Sequence, residues 1–281
     1  MKQVRWSSVI TPNSKWYYIN IREIWDYRDL IVIFVKRDII SIYKQTILGP
    51  IWFLLGPLFI VFTYTFLFSE VAHLSTDGLP GPLFYLSGTT LWNYFQTCFN
   101  GASTTFSANA GIFGKVYFPR LVTPISMVIS NLLKLLLQFI TYVIFLIFYS
   151  THPNVHIHFE YFVYVPFIVL NLAIIAMGSG IIISSFTAKY RDLTMIVGVI
   201  MNLVMYATPI MYPLSSIPAM YKTYLHLNPI SPLIESFRYI FTGTGTFDIS
   251  DLMYSTIFGF LVLIIGVFVF NRTEKTFMDT I

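Results

Sequence analysis

Six stretches of roughly twenty residues, 51–69, 82–100, 122–149, 162–186, 193–212 and 252–270, contain no carboxylate, and one of them holds a single internal cation, Lys134. An apolar run of about 20 residues matches the thickness of a bilayer's hydrocarbon core as a helix, and helices satisfy their own backbone groups there. The chain is therefore expected to be an all-α membrane protein with six transmembrane helices. Composition agrees: 11% of residues are charged and 56% are hydrophobic, where a soluble domain carries about 25% charged residues. The single Cys98 excludes an internal disulfide. The first twenty residues lack the apolar core of a secretory signal.

The cations fix an expected orientation. Lys2, Arg5, Lys15, Arg22, Arg28, Lys36, Arg37 and Lys44 precede the first stretch. Lys115 and Arg120, Lys189 and Arg191, and Arg272 and Lys275 fall in the second, fourth and C-terminal connections, which lie on the same side as the N-terminus. The other side holds Lys222 and Arg238. The positive-inside rule then places both termini in the cytoplasm.

Residues 1–18 show no period and read as a tail. Residues 19–47 read as an amphipathic interface helix, with Ile21, Ile24, Trp25, Ile31, Val35, Ile39 and Ile42 on one face and Arg22, Lys36, Arg37 and Lys44 roughly opposite. Its basic face either sets topology or, through Lys36, Arg37 and Lys44, also meets an anionic headgroup or diphosphate. Gly49-Pro50 ends this helix, and with Gly56 and Pro57 sets the angle at which the chain enters the membrane. Between the fifth and sixth stretches, 213–245 is apolar but broken by Pro218, Pro229 and Pro232. It is expected to form short re-entrant helices on the outer side, with Glu235 and Arg238 paired at i,i+3.

Polar stripes interrupt two spans: Asn93, Gln96, Thr97, Asn100, Ser103, Thr104 and Ser107 in one, and Asn131, Lys134, Gln138 and Thr141 in the other. Such faces point into a bundle or a wet cavity. They serve either helix–helix hydrogen bonding or a hydrophilic conduit edged by Tyr64, Trp92, Tyr94 and Tyr206. Amides and hydroxyls suit sugar hydroxyls, and aromatic faces suit pyranose C–H faces. The small residues of 176–185 allow close helix contact.

Several motifs fail. Gly114-Lys115 lacks the glycine and the Ser or Thr of a phosphate loop, since Asn109 and Val116 stand there. Leu86-Ser87-Gly88 lies in an apolar span, so the chain is not expected to bind ATP. His152, His156 and His158 have only Glu160 nearby in sequence, and read as a loop rather than a metal site. No serine–histidine or paired-acid arrangement supports catalysis.

Six spans, the basic N-terminal helix, the junction from Tyr43 to Pro57, Tyr190-Arg191-Asp192 before the fifth span, and Thr208-Pro-Ile-Met-Tyr-Pro213 followed by Leu227-Asn228-Pro229 together resemble the type-2 ABC exporter permeases. The likeness is to the branch exporting lipid-linked O-antigen, with teichoic acid exporters as near neighbours, and it covers the chain from about residue 20. It implies a homodimer in the bacterial inner membrane bound to two separate ATPase chains, which would hold the ATP and Mg; no cofactor is expected in this chain, and no nucleic acid partner. Cargo would be a polysaccharide on a polyprenyl diphosphate. The resemblance implies a coupling segment at 109–120 (Gly114, Lys115, Tyr117, Pro119 and Arg120), a second ATPase contact at 188–192 (Lys189, Tyr190, Arg191 and Asp192), and an outer gate at 213–245 with Tyr212, Tyr221, Tyr224, Asn228, Pro229, Glu235 and Arg238. It implies a conduit lined by Tyr64, Trp92, Asn93, Tyr94, Gln96, Asn100 and Tyr206. The tail before residue 20 matches no family role. The rival readings are a teichoic acid, capsule or drug exporter of the same family, a membrane enzyme acting on lipid-linked sugars, and a scaffold for an ATPase.

Overall fold

The computed structural model describes residues 21–44, 51–190 and 192–277. Among the described residues every regular element is helical. The N-terminal segment forms two helices where one was expected, α1 (Ile21–Asp26) and α2 (Arg28–Lys44). At Tyr27 the amide is shared between the carbonyls of Glu23 and Ile24, both at 3.2 Å, and the chain turns. Gly49 and Pro50 lie outside the described residues.

Helix α3 (Trp52–Tyr64) carries Pro57 inside it and runs on into a π-helical turn, Thr65–Val71. Helix α4 (Gly81–Ser103) starts with Pro82 in its first turn, where a missing amide is harmless. It is followed by α5 (Thr105–Phe113), α6 (Val122–Phe148), α7 (Tyr164–Thr187) and α8 (Leu193–Tyr206). The short α9 (Ala219–His226) and α10 (Ser231–Thr242) precede the long α11 (Ile249–Phe277).

Among the described residues four stretches are long and apolar enough to cross a membrane: Leu54–Val71, Val122–Phe148, Tyr164–Thr187 and Ile249–Glu274. The other two expected spans differ, each for its own reason. Helix α4 has 23 residues, about 34 Å at 1.5 Å per residue, but Ser87, Thr89, Thr90, Asn93, Gln96, Thr97 and Asn100 dilute its apolar character. Helix α8 stops at Tyr206, six residues short of the expected end, with 14 residues. Thr208 precedes Pro209, and a residue before proline avoids the helical region.

Helix α4 is the centre of the bundle and is buried on nearly all sides, packed between α7, α6, α3 and α10. Helix α7 lies between α4 and α11. Glycine makes these contacts possible. A Cβ at Gly178 would stand 2.7 Å from the Leu263 amide nitrogen of α11, and one at Gly180 would stand 2.8 Å from the Phe99 carbonyl of α4. The expected close contact along 176–185 is seen, with Asn171 Nδ2 donating across to Thr256 Oγ1 at 2.9 Å.

The bundle has two distinct ends. At one, Arg120 meets Glu274 and Tyr117 meets Glu23, so α1, the loop after α5 and the last turns of α11 converge. A small aromatic core lies beneath them, with Phe106 stacked on Phe270 at 4.5 Å and Phe118 edge-on to Phe34 at 5.7 Å. At the opposite end, Asn154 Nδ2 donates to the Gly78 carbonyl at 2.9 Å. The 155–158 segment there bonds the end of α10, the His156 and His158 amides donating to the Thr242 and Ile240 carbonyls at 3.0 and 2.9 Å.

Candidate functional site: two ends and the helices between them

At the end holding Arg120, the 109–120 segment is helical only as far as Phe113. Beyond it, Gly114, Lys115, Val116 and Tyr117 project from the bundle, Tyr117 with 61% of its surface exposed. Pro119 is half-buried. Arg120 does not join this surface. Its side chain is 11% exposed; Nη1 donates to the Glu274 carbonyl at 2.9 Å and Nε lies 3.5 Å from Glu274 Oε1. Its guanidinium also lies 5.3 Å from the Phe113 ring centre. Burial lowers the Arg120 pKa, and Glu274 opposes that shift. Burial raises the Tyr117 pKa, and Glu23, which accepts from its hydroxyl at 3.3 Å, adds to this. Arg120 therefore positions the loop, whereas Lys115, Val116 and Tyr117 present it.

The second expected contact is also at the surface. Lys189, Tyr190 and Asp192 are exposed, and Lys189 Nζ sits 5.3 Å from the Tyr190 ring centre. Arg191 lies outside the described residues. Replacing Arg120 by Ala is expected to lower the stability of the purified protein by about 1–3 kcal/mol, since Glu274 then loses a buried partner, whereas Tyr117→Ala is expected to leave it unchanged. Thermal unfolding of the two variants checks this.

Lys36, Arg37 and Lys44 are all exposed on α2, whose side chains Ile31, Val35 and Ile39 turn toward the protein and whose Val32, Ile33 and Ile40 do not. The three cations thus share their face with apolar residues, which differs from the clean separation read from the sequence. Arg37 is already engaged: Nε and Nη2 both donate to Asp38 Oδ1, at 2.9 and 2.8 Å, and its guanidinium lies over the Phe34 ring at 4.6 Å.

The expected conduit residues do not share one surface. Trp92 and Tyr94 are each 2% exposed and belong to the core of the chain. Asn93 and Gln96 are half-buried, Asn100 is exposed, Tyr64 is half-buried and Tyr206 is exposed. The stripe's hydroxyls mostly bond their own helix: Thr97 to the Asn93 carbonyl at 2.8 Å, Ser103 and Thr104 to Asn100 at 2.9 and 3.0 Å, and Thr141 to Leu137 at 3.2 Å. Bonding back to the preceding turn lets a hydroxyl sit in an apolar setting without a partner helix. A smaller set does cross, including Thr187 Oγ1 to the Ser103 carbonyl at 3.3 Å and the Phe106 amide to Ser184 Oγ at 3.2 Å.

At the opposite end, Glu235 and Arg238 form the expected pair, at 2.6 Å, and both are 1% exposed. Arg238 does more than pair. Its Nε donates to Ser87 Oγ on α4 at 3.1 Å, its Nη2 donates to the Pro209 carbonyl at 2.9 Å, and its guanidinium lies 3.9 Å from the Phe84 ring centre. Asn228 Nδ2 donates to Thr208 Oγ1 at 2.8 Å and to the Ala207 carbonyl at 3.2 Å, while its Oδ1 accepts from the Ile230 amide at 3.0 Å. Pro229 follows in the tight turn between α9 and α10 and is half-buried. Tyr212 donates to the Tyr206 carbonyl at 2.7 Å. Tyr221 and Tyr224 are exposed on α9. The histidine loop is used in packing: His158 stacks on Tyr239 at 4.6 Å and meets Glu160 at 3.2 Å.

Sequence reasoning missed Glu23, Glu274, Ser87 and the Pro209 carbonyl. For Ser87 a signal existed in the small residues of Leu86-Ser87-Gly88, where α4 receives the turn after α8: Ser87 Oγ accepts from Arg238, and a Cβ at Gly88 would stand 3.1 Å from Ile210 Cα.

A bundle whose described residues include four apolar stretches long enough to cross a membrane, with loops gathered at two unlike ends, is the architecture of a membrane-spanning protein. The ABC-2 type transporter family model matches residues 29–242, and the chain belongs to that family. Similar proteins include the O-antigen export system permease protein RfbA of Klebsiella pneumoniae, 29% identical over 252 residues, covering 89% of this chain and 94% of the relative. The RfbA of Myxococcus xanthus is 28% identical over 263 residues, covering 93% and 98%. The polysialic acid transport protein KpsM of Escherichia coli is 25% identical over 250 residues, covering 87% and 93%.

Proposed function

We propose that the chain is the permease subunit of an exporter that moves polyprenyl-diphosphate-linked O-antigen polysaccharide across the bacterial inner membrane. The observation that carries this is the match to O-antigen export permeases over 89% and 93% of the chain and 94% and 98% of the relatives. Two copies pair in the membrane and bind two ATPase chains, which hold the ATP and Mg and do the hydrolysis. The projecting residues Lys115, Val116 and Tyr117, with Lys189 and Tyr190, are the surface those ATPases push. Helices α4 and α8 complete six spans, both termini are cytoplasmic, and α9 and α10 close the outer end. Support for pairing comes from α3 and α8, whose apolar faces are left uncovered by their own chain, as a helix facing a second copy or lipid would be.

In this reading Lys36, Arg37 and Lys44 receive the diphosphate, Arg37 exchanging Asp38 for phosphate, and their exposure on α2 supports it. Replacing all three by Gln is expected to reduce cell-surface polysaccharide without reducing permease level; undiminished export would remove this role. The exporter assignment is tested by co-purification. An ABC ATPase chain should come down with the tagged permease, and lipid-linked polysaccharide should raise its ATP hydrolysis. A permease that purifies without an ATPase partner from its own cells contradicts it.

The capsular reading rests on KpsM, which matches at lower identity. It predicts that loss of the chain removes capsule and leaves lipopolysaccharide intact.

A further inference from the structure

Helix α8 is held very differently at its two ends. Along its length one stripe, Val197, Met201, Val204 and Met205, rests on the core. Its other faces are bare, Met195 being 82% and Leu203 62% exposed. At its C-terminal end the situation reverses. Thr208 and Ile210 are fully buried. Arg238 holds the Pro209 carbonyl from α10, Asn228 holds Ala207 and Thr208 from the α9–α10 turn, and Ile210 is seated against Gly88 of α4. Arg238 in turn is fixed to α4 by Ser87 and to its own helix by Glu235. These three grips come from α10, the α9–α10 turn and α4, and all close on four consecutive residues. Several of the groups are buried, where a broken hydrogen bond costs the desolvation of its partner.

We propose that residues 207–210 are a fixed pivot about which α8 swings, with Arg238 and Asn228 as the positioning residues that hold it. A push at 188–192, at the other end of α8, then moves the loosely packed N-terminal part of the helix, while the outer block of α4, α10 and the turn stays together. The 207–210 turn is where the helix has already ended and the backbone takes up the change of direction, as hinges do. Gating at the outer side would then fall to the exposed α9 and the tyrosines on it rather than to separation of α10 from α4.

The inference depends on the exporter assignment for its readout, and covalent immobilisation tests it. A Cβ at Gly88 would lie 3.1 Å from Ile210 Cα and 3.2 Å from Ile210 Cγ2, within reach of a disulfide, whose Cβ atoms lie about 3.5–4.5 Å apart. Gly88→Cys with Ile210→Cys therefore ties α4 to the turn. The buried Cys98, ten residues further along α4, stays in place. Surface polysaccharide is compared in cells with the bond oxidised and after reductant, and bond formation is read by thiol labelling of the purified permease. The pivot predicts the same export in both states. Export lost on oxidation and regained on reduction overturns it. Should the first pair not accumulate, Asn228→Ala, which removes the hydrogen bonds to Ala207 and Thr208, is expected to lower export severalfold at unchanged membrane abundance, and undiminished export overturns the pivot. If the wild-type chain itself supports no export, the exporter assignment fails and the pivot is not what has been contradicted.

Discussion

Arg238→Gln is expected to be the most damaging single substitution in the chain, costing about 3–5 kcal/mol and removing most of the protein from the membrane fraction. Three of its nitrogens are used by three different elements: Glu235 of its own helix, Ser87 of α4, and the Pro209 carbonyl after α8. The neutral amide strands the Glu235 carboxylate, which is 1% exposed. Arg238→Lys keeps the charge but cannot reproduce the planar fork, so it is expected to fall between wild type and Gln. Removing both charges relieves the stranded carboxylate. Glu235→Gln with Arg238→Gln is therefore expected to be less damaging than Arg238→Gln alone. Membrane abundance and thermal unfolding of the purified variants measure this. Additive losses in the double variant would show that the two side chains act independently.

The second large effect is expected at Gly266. A Cβ there would stand 2.6 Å from the Gly178 carbonyl oxygen and 2.8 Å from Ile181 Cγ1. The atom opposed is backbone, so α7 and α11 have to separate, and a contact that includes Asn171 to Thr256 loosens with them. Overpacking of this kind costs about 1–3 kcal/mol or more, so Gly266→Val is expected to lower the unfolding midpoint strongly and Gly266→Ala to do so by less. Gly111 supplies the contrast. Nothing lies within 4 Å of its Cβ position, on the exposed face of α5, and Gly111→Ala is expected to be neutral or to stabilise by about 0.5–1 kcal/mol. Equal midpoints for Gly266→Val and Gly111→Ala would refute the close-contact explanation.

Much of the bundle was legible because a span is a local property. Apolar length alone placed α6, α7 and α11 to within a few residues of their expected bounds, except that α11 runs past the end of its run to Phe277. The fifth span was drawn too long by reading apolar character across Thr208-Pro209, where the backbone cannot stay helical. The break at Tyr27 has no proline or glycine to announce it. Faces were harder than lengths. A helix enclosed on nearly all sides, as α4 is, has no lipid face to contrast with a polar one, so Trp92 and Tyr94 were assigned to a conduit and lie in the core. Partners were hardest. Glu235 was found for Arg238 because it is three residues away, but Ser87 is 151 residues away and Pro209 contributes a carbonyl, which every residue has. Arg120 shows the same limit: its charge in a basic loop suggested a surface contact, and Glu274, 154 residues on, takes it inward.

The central claim, that this chain carries lipid-linked polysaccharide out of the cytoplasm, is tested most directly by deleting it in its own cells and locating the polymer. Loss of O-antigen from the surface, with full-length polymer still attached to its lipid accumulating on the cytoplasmic side and cleared by the restored chain, is the predicted result. Surface O-antigen undiminished in the deletion, or polymer that is absent altogether because its synthesis has stopped, contradicts it.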